Sequence, residues 1–324
     1  MSTPLNATFF TLQSRDRSVL LPATGVFALC VAVLIALVVG LNWRFFADLG
    51  ALFHGIGGKE VDSAAGAALV LRAFGLIGSA LLFAIFFYMA MAAYEAACLR
   101  WMLRGEAPGL VGFTFDHDMW RVYGVYWCWV GVHYAVSFVS SIVTLPIVFG
   151  TMGSLMSEGK PDPAVFWRWE MTTMLPISMV QLLPLAFLAV RLSPAAATSV
   201  ARQRFSFFEA WKVTRGRFLP LLGSFALIWL LAGLAGAILW GVIGGALIAR
   251  LWPLVIASAA DDGAEAARTF LTTLFAPENL AIFAAGYAGQ LAVGLGLMLM
   301  SFGVNARAAQ AALEEGKIAV EPAT

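Results

Sequence analysis

Charge is scarce in this sequence. Asp, Glu, Lys and Arg make up only 12% of the 324 residues, about half the share of an ordinary soluble domain, while hydrophobic residues make up 61%. Too few polar groups remain to cover a water-exposed surface, which excludes a soluble globular protein. The net charge of +1 excludes a strongly basic nucleic-acid binder and points to no acidic substrate. Cysteine is also rare. Cys30, Cys98 and Cys128 lie in or beside apolar runs, odd in number and widely spaced. They fit neither a disulfide framework nor a metal motif and read as small packing residues. The chain lacks an HExxH pair, a glycine-rich loop ending in Gly-Lys-Ser/Thr, a GxSxG elbow and a Cys-x-x-Cys pair. No cofactor and no metal is expected, and the chain reads as non-enzymatic.

What the chain has is length of apolar sequence. Six runs, at about Val19–Leu41, Ala67–Ala93, Val122–Phe149, Met171–Leu192, Phe218–Ala249 and Leu280–Val304, are each long enough to cross a bilayer. They are continuous rather than alternating, and lipid forces every backbone polar group to find a partner within its own segment. The expected fold is therefore all-α: one integral membrane domain over residues 1–324, a polytopic bundle of six transmembrane helices with short interfacial helices. Arg15 and Arg17 precede the first run much as in a signal peptide, but no small-residue cleavage site follows it. It reads as an uncleaved anchor.

The arginines and lysines set the orientation. Thirteen of the 20 fall in the N-terminal arm, the second and fourth loops and the C-terminus; six fall in the first, third and fifth loops, and Arg72 lies within the second run. Short loops rich in Lys and Arg stay on the cytoplasmic side, so both termini are expected in the cytoplasm and the protein in a bacterial inner membrane. Tryptophans flank the runs, with Trp43, Trp167, Trp169 and Trp252 at expected outer ends and Trp101, Trp120 and Trp211 at inner ends. Trp127, Trp129, Trp229 and Trp240 lie within runs, where helix packing is the plain reading.

Each odd-numbered run is approached through a segment mixing aromatics with arginine: Phe9 to Arg17, Phe113 to Arg121 and Phe205 to Phe218. A loose threefold repeat of interfacial segment and membrane hairpin follows from this. The third segment is the most defined. Ser206-Phe207-Phe208-Glu209 fits a capping box, Gly216 is placed to end the helix, and Phe207, Trp211, Thr214 and Phe218 recur on one face. With Lys212 and Arg215 off that face, the segment reads as an amphipathic helix lying on the membrane, rings among acyl chains and cations on phosphates. Phe207, Trp211, Lys212, Arg215 and Arg217 are accordingly the expected lipid- or partner-binding residues.

The stretch Phe207-Phe208-Glu209-Ala210-Trp211-Lys212-Val213-Thr214-Arg215-Gly216-Arg217-Phe218, with Arg191-Leu192-Ser193-Pro194-Ala195 before it, resembles a pattern in bacterial polytopic proteins related to the membrane domain of glycerophosphoryl diester phosphodiesterases. The pattern covers about 30 residues, while the six-run layout extends the likeness without specificity. Those phosphodiesterases carry their chemistry in a separate soluble barrel that has no counterpart here. The resemblance therefore implies an inner-membrane protein and transfers no activity.

Polar groups at membrane depth are few. Glu95, Arg191 and Arg307 lie near the inner ends of the even-numbered runs, where an ion-paired clamp would lower their burial cost. Arg72, near an outer end, is placed to snorkel. His133, Gln181 and Gln290 each lie about ten to twelve residues from a membrane face and would share a midplane layer, joining helices or lining a polar path. Pro146, Pro176, Pro184 and Pro220 are expected to bend or interrupt helices. Small residues four apart around Gly241 to Gly245 and Ala285 to Gly289 allow close helix approach, within one subunit or between copies. Asp116-His117-Asp118 offers two carboxylates and an imidazole to a divalent ion, or simply a helix start. Asp261, Asp262 and Glu265, with Arg268, read as a solvated helix start.

These features point to a non-enzymatic multi-pass scaffold or accessory subunit. Its expected partners are membrane lipids and a membrane protein or second copy of the chain, with no nucleic acid. The alternatives are a small-solute or ion transporter with a midplane site at His133, Gln181 and Gln290, and a metal-dependent lipid-headgroup enzyme at Asp116 to Asp118.

Overall fold

The computed structural model describes residues 19–45, 63–157, 167–258, 269, 272–274 and 276–320. The first approach segment with Arg15 and Arg17, the loop lysines Lys59 and Lys160, and the acidic group Asp261, Asp262, Glu265 and Arg268 lie outside the described residues. The named α-helices among the described residues are, in order, α1 (Leu20–Leu41), α2 (Ser63–Arg104), α3 (His117–Ser157), α4 (Leu175–Leu192), α5 (Ala195–Arg202), α6 (Ala210–Thr214), α7 (Phe218–Ser258) and α8 (Pro277–Glu314). A π-turn at Glu170–Met174 runs into α4. Among the described residues there is no strand, and six helical stretches are long and apolar enough to span a membrane. The protein is an all-α, multi-pass membrane protein.

The helices outrun the apolar sequence. α2 has 42 residues, about 63 Å at 1.5 Å per residue, roughly twice the hydrocarbon thickness. α3 with 41 residues, α7 with 41 and α8 with 38 are comparable. Pro146 and Pro184 do not interrupt their helices, and Pro220 sits in the first turn of α7, where its missing donor matters little. Pro176 follows the π-turn at the start of α4.

Burial is concentrated at one end. In each spanning stretch no more than 11% of the most apolar window is buried, so the membrane part is open. Trp229, 76% exposed, faces outward from α7 rather than packing between helices. The packed core lies instead where the arginine-rich loops gather. Ala92, Ala93, Ala96 and Ala97 of α2, Ala195 to Ala197 of α5, and Ala306, Ala308, Ala309, Ala311 and Ala312 of α8 are all buried there. Such small side chains let helix backbones approach closely. α5 packs against α2, α3 and α8, and the short α6 against α4, α5 and α8. Leu20, Ala23 and Phe27 of α1 reach the same core, and the Thr24 hydroxyl lies 2.8 Å from the Tyr94 hydroxyl. The chain thus returns to this end after every second span.

Outside this core the strongest pairing is between α7 and α8. Ile243 and Leu239 sit over Gly286 and Gly289, where any Cβ would crowd them. The Ala285–Gly289 small-residue surface therefore packs the last two long helices within one subunit. At Gly241, Gly244 and Gly245 an added Cβ would meet nothing within 4 Å.

Candidate functional site

The arginine-rich end is built around charged groups that the helices themselves position. α2 ends in a glycine-dependent loop, with Gly105, Gly109 and Gly112 all at positive φ. At Gly112 a Cβ would stand 3.1 Å from the Ala97 Cβ, so the loop backbone lies directly on α2. Arg100, only 1% exposed, spans this contact, donating to the Gly112 carbonyl at 2.6 Å and pairing with Asp116. Asp116 also accepts from the Thr114 hydroxyl at 2.9 Å and from the Met119 N–H at 3.0 Å, which caps the start of α3. Burial pushes the Asp116 carboxyl up, but the Met119 N–H, the Thr114 hydroxyl and the Arg100 guanidinium outweigh it and hold it below the usual aspartate value.

Asp118 is held between Arg104 at 2.5 Å and Arg121 at 2.6 Å, and Arg104 donates onward to the Val200 carbonyl at 3.0 Å. The Asp116-His117-Asp118 carboxylates thus start a helix and bind arginines. Among the described residues no group of three His, Cys, Asp or Glu side chains is placed to hold a metal.

The third approach segment departs from the expected amphipathic helix. α6 spans only Ala210 to Thr214, and its N-cap, Glu209, makes no side-chain capping bond. Glu209 pairs instead with Arg202 at 2.5 Å, while the Ser206 N–H donates to the Ser199 hydroxyl at 3.0 Å. Burial raises the Glu209 carboxyl, yet hydrogen bonds from Arg202 and Ser206 and the Arg202 charge bring it below its ordinary value. The capping box is replaced by ties to α5, which offers the buried Ser199 hydroxyl and the Arg202 cation. Gly216, at φ 79°, turns the chain into α7 as its position predicts.

Two of the expected surface residues are interior. Phe207 is 1% exposed, with its ring edge-on to Trp129 at 6.1 Å. Arg217 is buried against the last turns of α8, donating to the Ala308 carbonyl at 3.4 Å and the Ala311 carbonyl at 3.1 Å and pairing with Glu315. The Ala311 carbonyl also accepts from the Glu315 N–H at 3.2 Å, so the guanidinium adds a second donor there, at the negative end of α8. Trp211, Lys212 and Arg215 remain outward. Phe208, which the one-face pattern passed over, is the most exposed ring of the segment at 77%, and Phe205 is exposed beside it.

The expected clamp of Glu95, Arg191 and Arg307 does not form. Glu95 is buried and accepts from the Tyr126 hydroxyl of α3. Arg307 pairs with Glu314 two turns further along α8, at 3.4 Å. Arg191 lies among three rings, its guanidinium carbon 5.5 Å from the Phe187 centroid, 5.2 Å from Trp211 and 5.0 Å from Phe218. Its Nη1 donates to the Thr214 carbonyl at 3.3 Å, and the Thr214 hydroxyl reaches the Arg191 carbonyl at 3.2 Å. Arg307 thus meets a carboxylate of its own helix, Arg191 a set of π-faces, and Glu95 a phenol.

His133 and Gln290, of the midplane residues, are also apart. His133 is exposed and lines a lipid-facing cavity of about 690 Å³ between α2 and α3, with Tyr88, Tyr126, Trp127, Trp129 and Tyr134 among its walls. Gln290 faces α7 near Gly236. The Gln181 side chain lies outside the described residues, and no described contact joins His133 to Gln290. Arg72 lines a cavity of about 480 Å³ with Trp43 and Arg44 at the far end of α1.

Comparison with protein families, with curated proteins and with solved structures returned no match. The class of the molecule therefore rests on its own architecture: a six-span membrane protein whose packed core sits at one arginine-rich end.

Proposed function

We propose that this is a non-enzymatic inner-membrane scaffold or accessory subunit, both termini cytoplasmic, that holds lipids or a membrane-protein partner at its arginine-rich end. The expected kinship with bacterial proteins related to the phosphodiesterase membrane domain forms part of this reading. The observation that carries it is the contrast within one segment. Phe208 and Trp211 are exposed beside Lys212 and Arg215, and among the described residues no carboxylate lies within 4 Å of either cation. Arg100, Arg104, Arg202 and Arg217 in the same region are all paired with acids. A fold that neutralises its buried cations and leaves two beside exposed rings presents a surface suited to the membrane–water boundary.

The packed end supports a platform more readily than a conduit, since His133 and Gln290 face different neighbours. The test is the double exchange K212Q/R215Q, purified gently from its native membrane. The expected outcome is loss of co-purifying anionic lipid or cross-linked partner, with helix content and melting unchanged. An unaltered set of bound lipids and partners would contradict the proposal.

A further inference from the structure

The geometry points to a binding site for the phosphate of an anionic glycerophospholipid at Arg191, framed by Phe187, Trp211 and Phe218 and flanked by Lys212 and Arg215. This inference rests on the docking reading above and gives it a ligand. Arg191 stands in the last turn of α4, at the boundary between an apolar span and the arginine-rich end. Its Nε has no hydrogen-bond partner, and Nη1 makes only the long bond to the Thr214 carbonyl. Among the described residues no carboxylate pairs with it. The three rings stabilise the cation without consuming its donors, because a π-face accepts charge rather than a directed hydrogen bond.

With Nε enclosed and Nη1 turned to Thr214, Nη2 is the donor left for a phosphate oxygen, and the undiminished charge of the guanidinium adds to it. The reciprocal bonds between Arg191 and Thr214 fix α6 beside it, which places the exposed Lys212 and Arg215 on the same short segment as Trp211. The occupant is a lipid rather than a free anion because the collar continues into apolar surface. Phe187 is 42% exposed one turn up α4, and Leu219 is exposed at the start of α7. A headgroup phosphate at the cations then leaves its acyl chains against these faces.

The site is tested by reconstituting the full chain in nanodiscs of mixed phosphatidylglycerol and phosphatidylcholine and counting retained lipids by native mass spectrometry. Wild type is expected to retain phosphatidylglycerol preferentially. Arg191→Gln is expected to lower that preference about fivefold, the effect of one interfacial cation, and Arg191→Lys to restore it only in part. Equal retention by wild type and Arg191→Gln, or displacement of the lipid by millimolar inorganic phosphate, would overturn the site. If Arg191→Gln fails to fold, quenching by brominated lipids, compared between wild type and Trp211→Phe, decides the matter. Quenching of Trp211 by brominated phosphatidylglycerol no stronger than by phosphatidylcholine would count against it. If Arg191→Gln has no effect while K212Q/R215Q still loses its partner, this site fails and the wider docking reading stands.

Discussion

Four of the six cations between Arg191 and Arg217 meet three different fates. Arg191 is collared by rings, Lys212 and Arg215 face outward, and Arg217 is drawn into the interior by the Ala308 and Ala311 carbonyls of α8 and by Glu315. Arg217→Gln is therefore expected to act on stability rather than on docking. It removes a buried cation that serves two carbonyls and Glu315, a loss of about 2 kcal/mol. Thermal unfolding in detergent should fall accordingly, and hydrogen exchange should quicken over the last turns of α8; an unchanged melt would contradict the assignment. The sequence placed Arg217 with the surface cations because periodicity sees only which face of its own segment a residue occupies. Nothing local announces that α8 ends beside it. Phe207 was misplaced for the same reason, since its position on the segment's apolar stripe is correct but the stripe faces protein. Asp116 was legible as a helix start because a cap acts on N–H groups only a few residues away.

At the level of elements, all six spans were visible, because a continuous apolar run crossing lipid has no alternative to a helix. Their ends were not. The runs at Ala93 and Val304 stop where hydropathy falls, yet α2 continues to Arg104 and α8 to Glu314. Alanine-rich turns carrying Glu95, Arg100 and Asn305 are too polar to register as membrane and too small-sided to register as an ordinary core. The recurrence of alanine at positions 92, 93, 96 and 97 was the available signal. The pairing of α7 with α8 was legible as a small-residue surface, and the structure assigns its use. Gly286→Leu should force Ile243 aside and cost about 1 to 3 kcal/mol by overpacking, whereas Gly241→Leu, at an open position, should cost little. Equal melting temperatures for the two variants would show that this helix pair does not depend on close approach. The suspected threefold repeat does not extend to structure in the two described segments. One is a glycine-supported loop capped by Asp116, and the other contains a short helix tied to α5.

The molecule as a whole is asymmetric along the membrane normal. Its interior lies at the end where the second and fourth loops meet the C-terminal helix, and its spans above that end are largely open to lipid. The functional account depends on that packed end facing the cell interior, where anionic lipid and cytoplasmic partners are met. The measurement that tests this most directly is membrane-impermeant thiol labelling of Lys212→Cys, with Cys30, Cys98 and Cys128 replaced, compared between intact spheroplasts and inverted membrane vesicles. The account predicts labelling in inverted vesicles alone. Labelling of the same position from the outside of intact spheroplasts would contradict it.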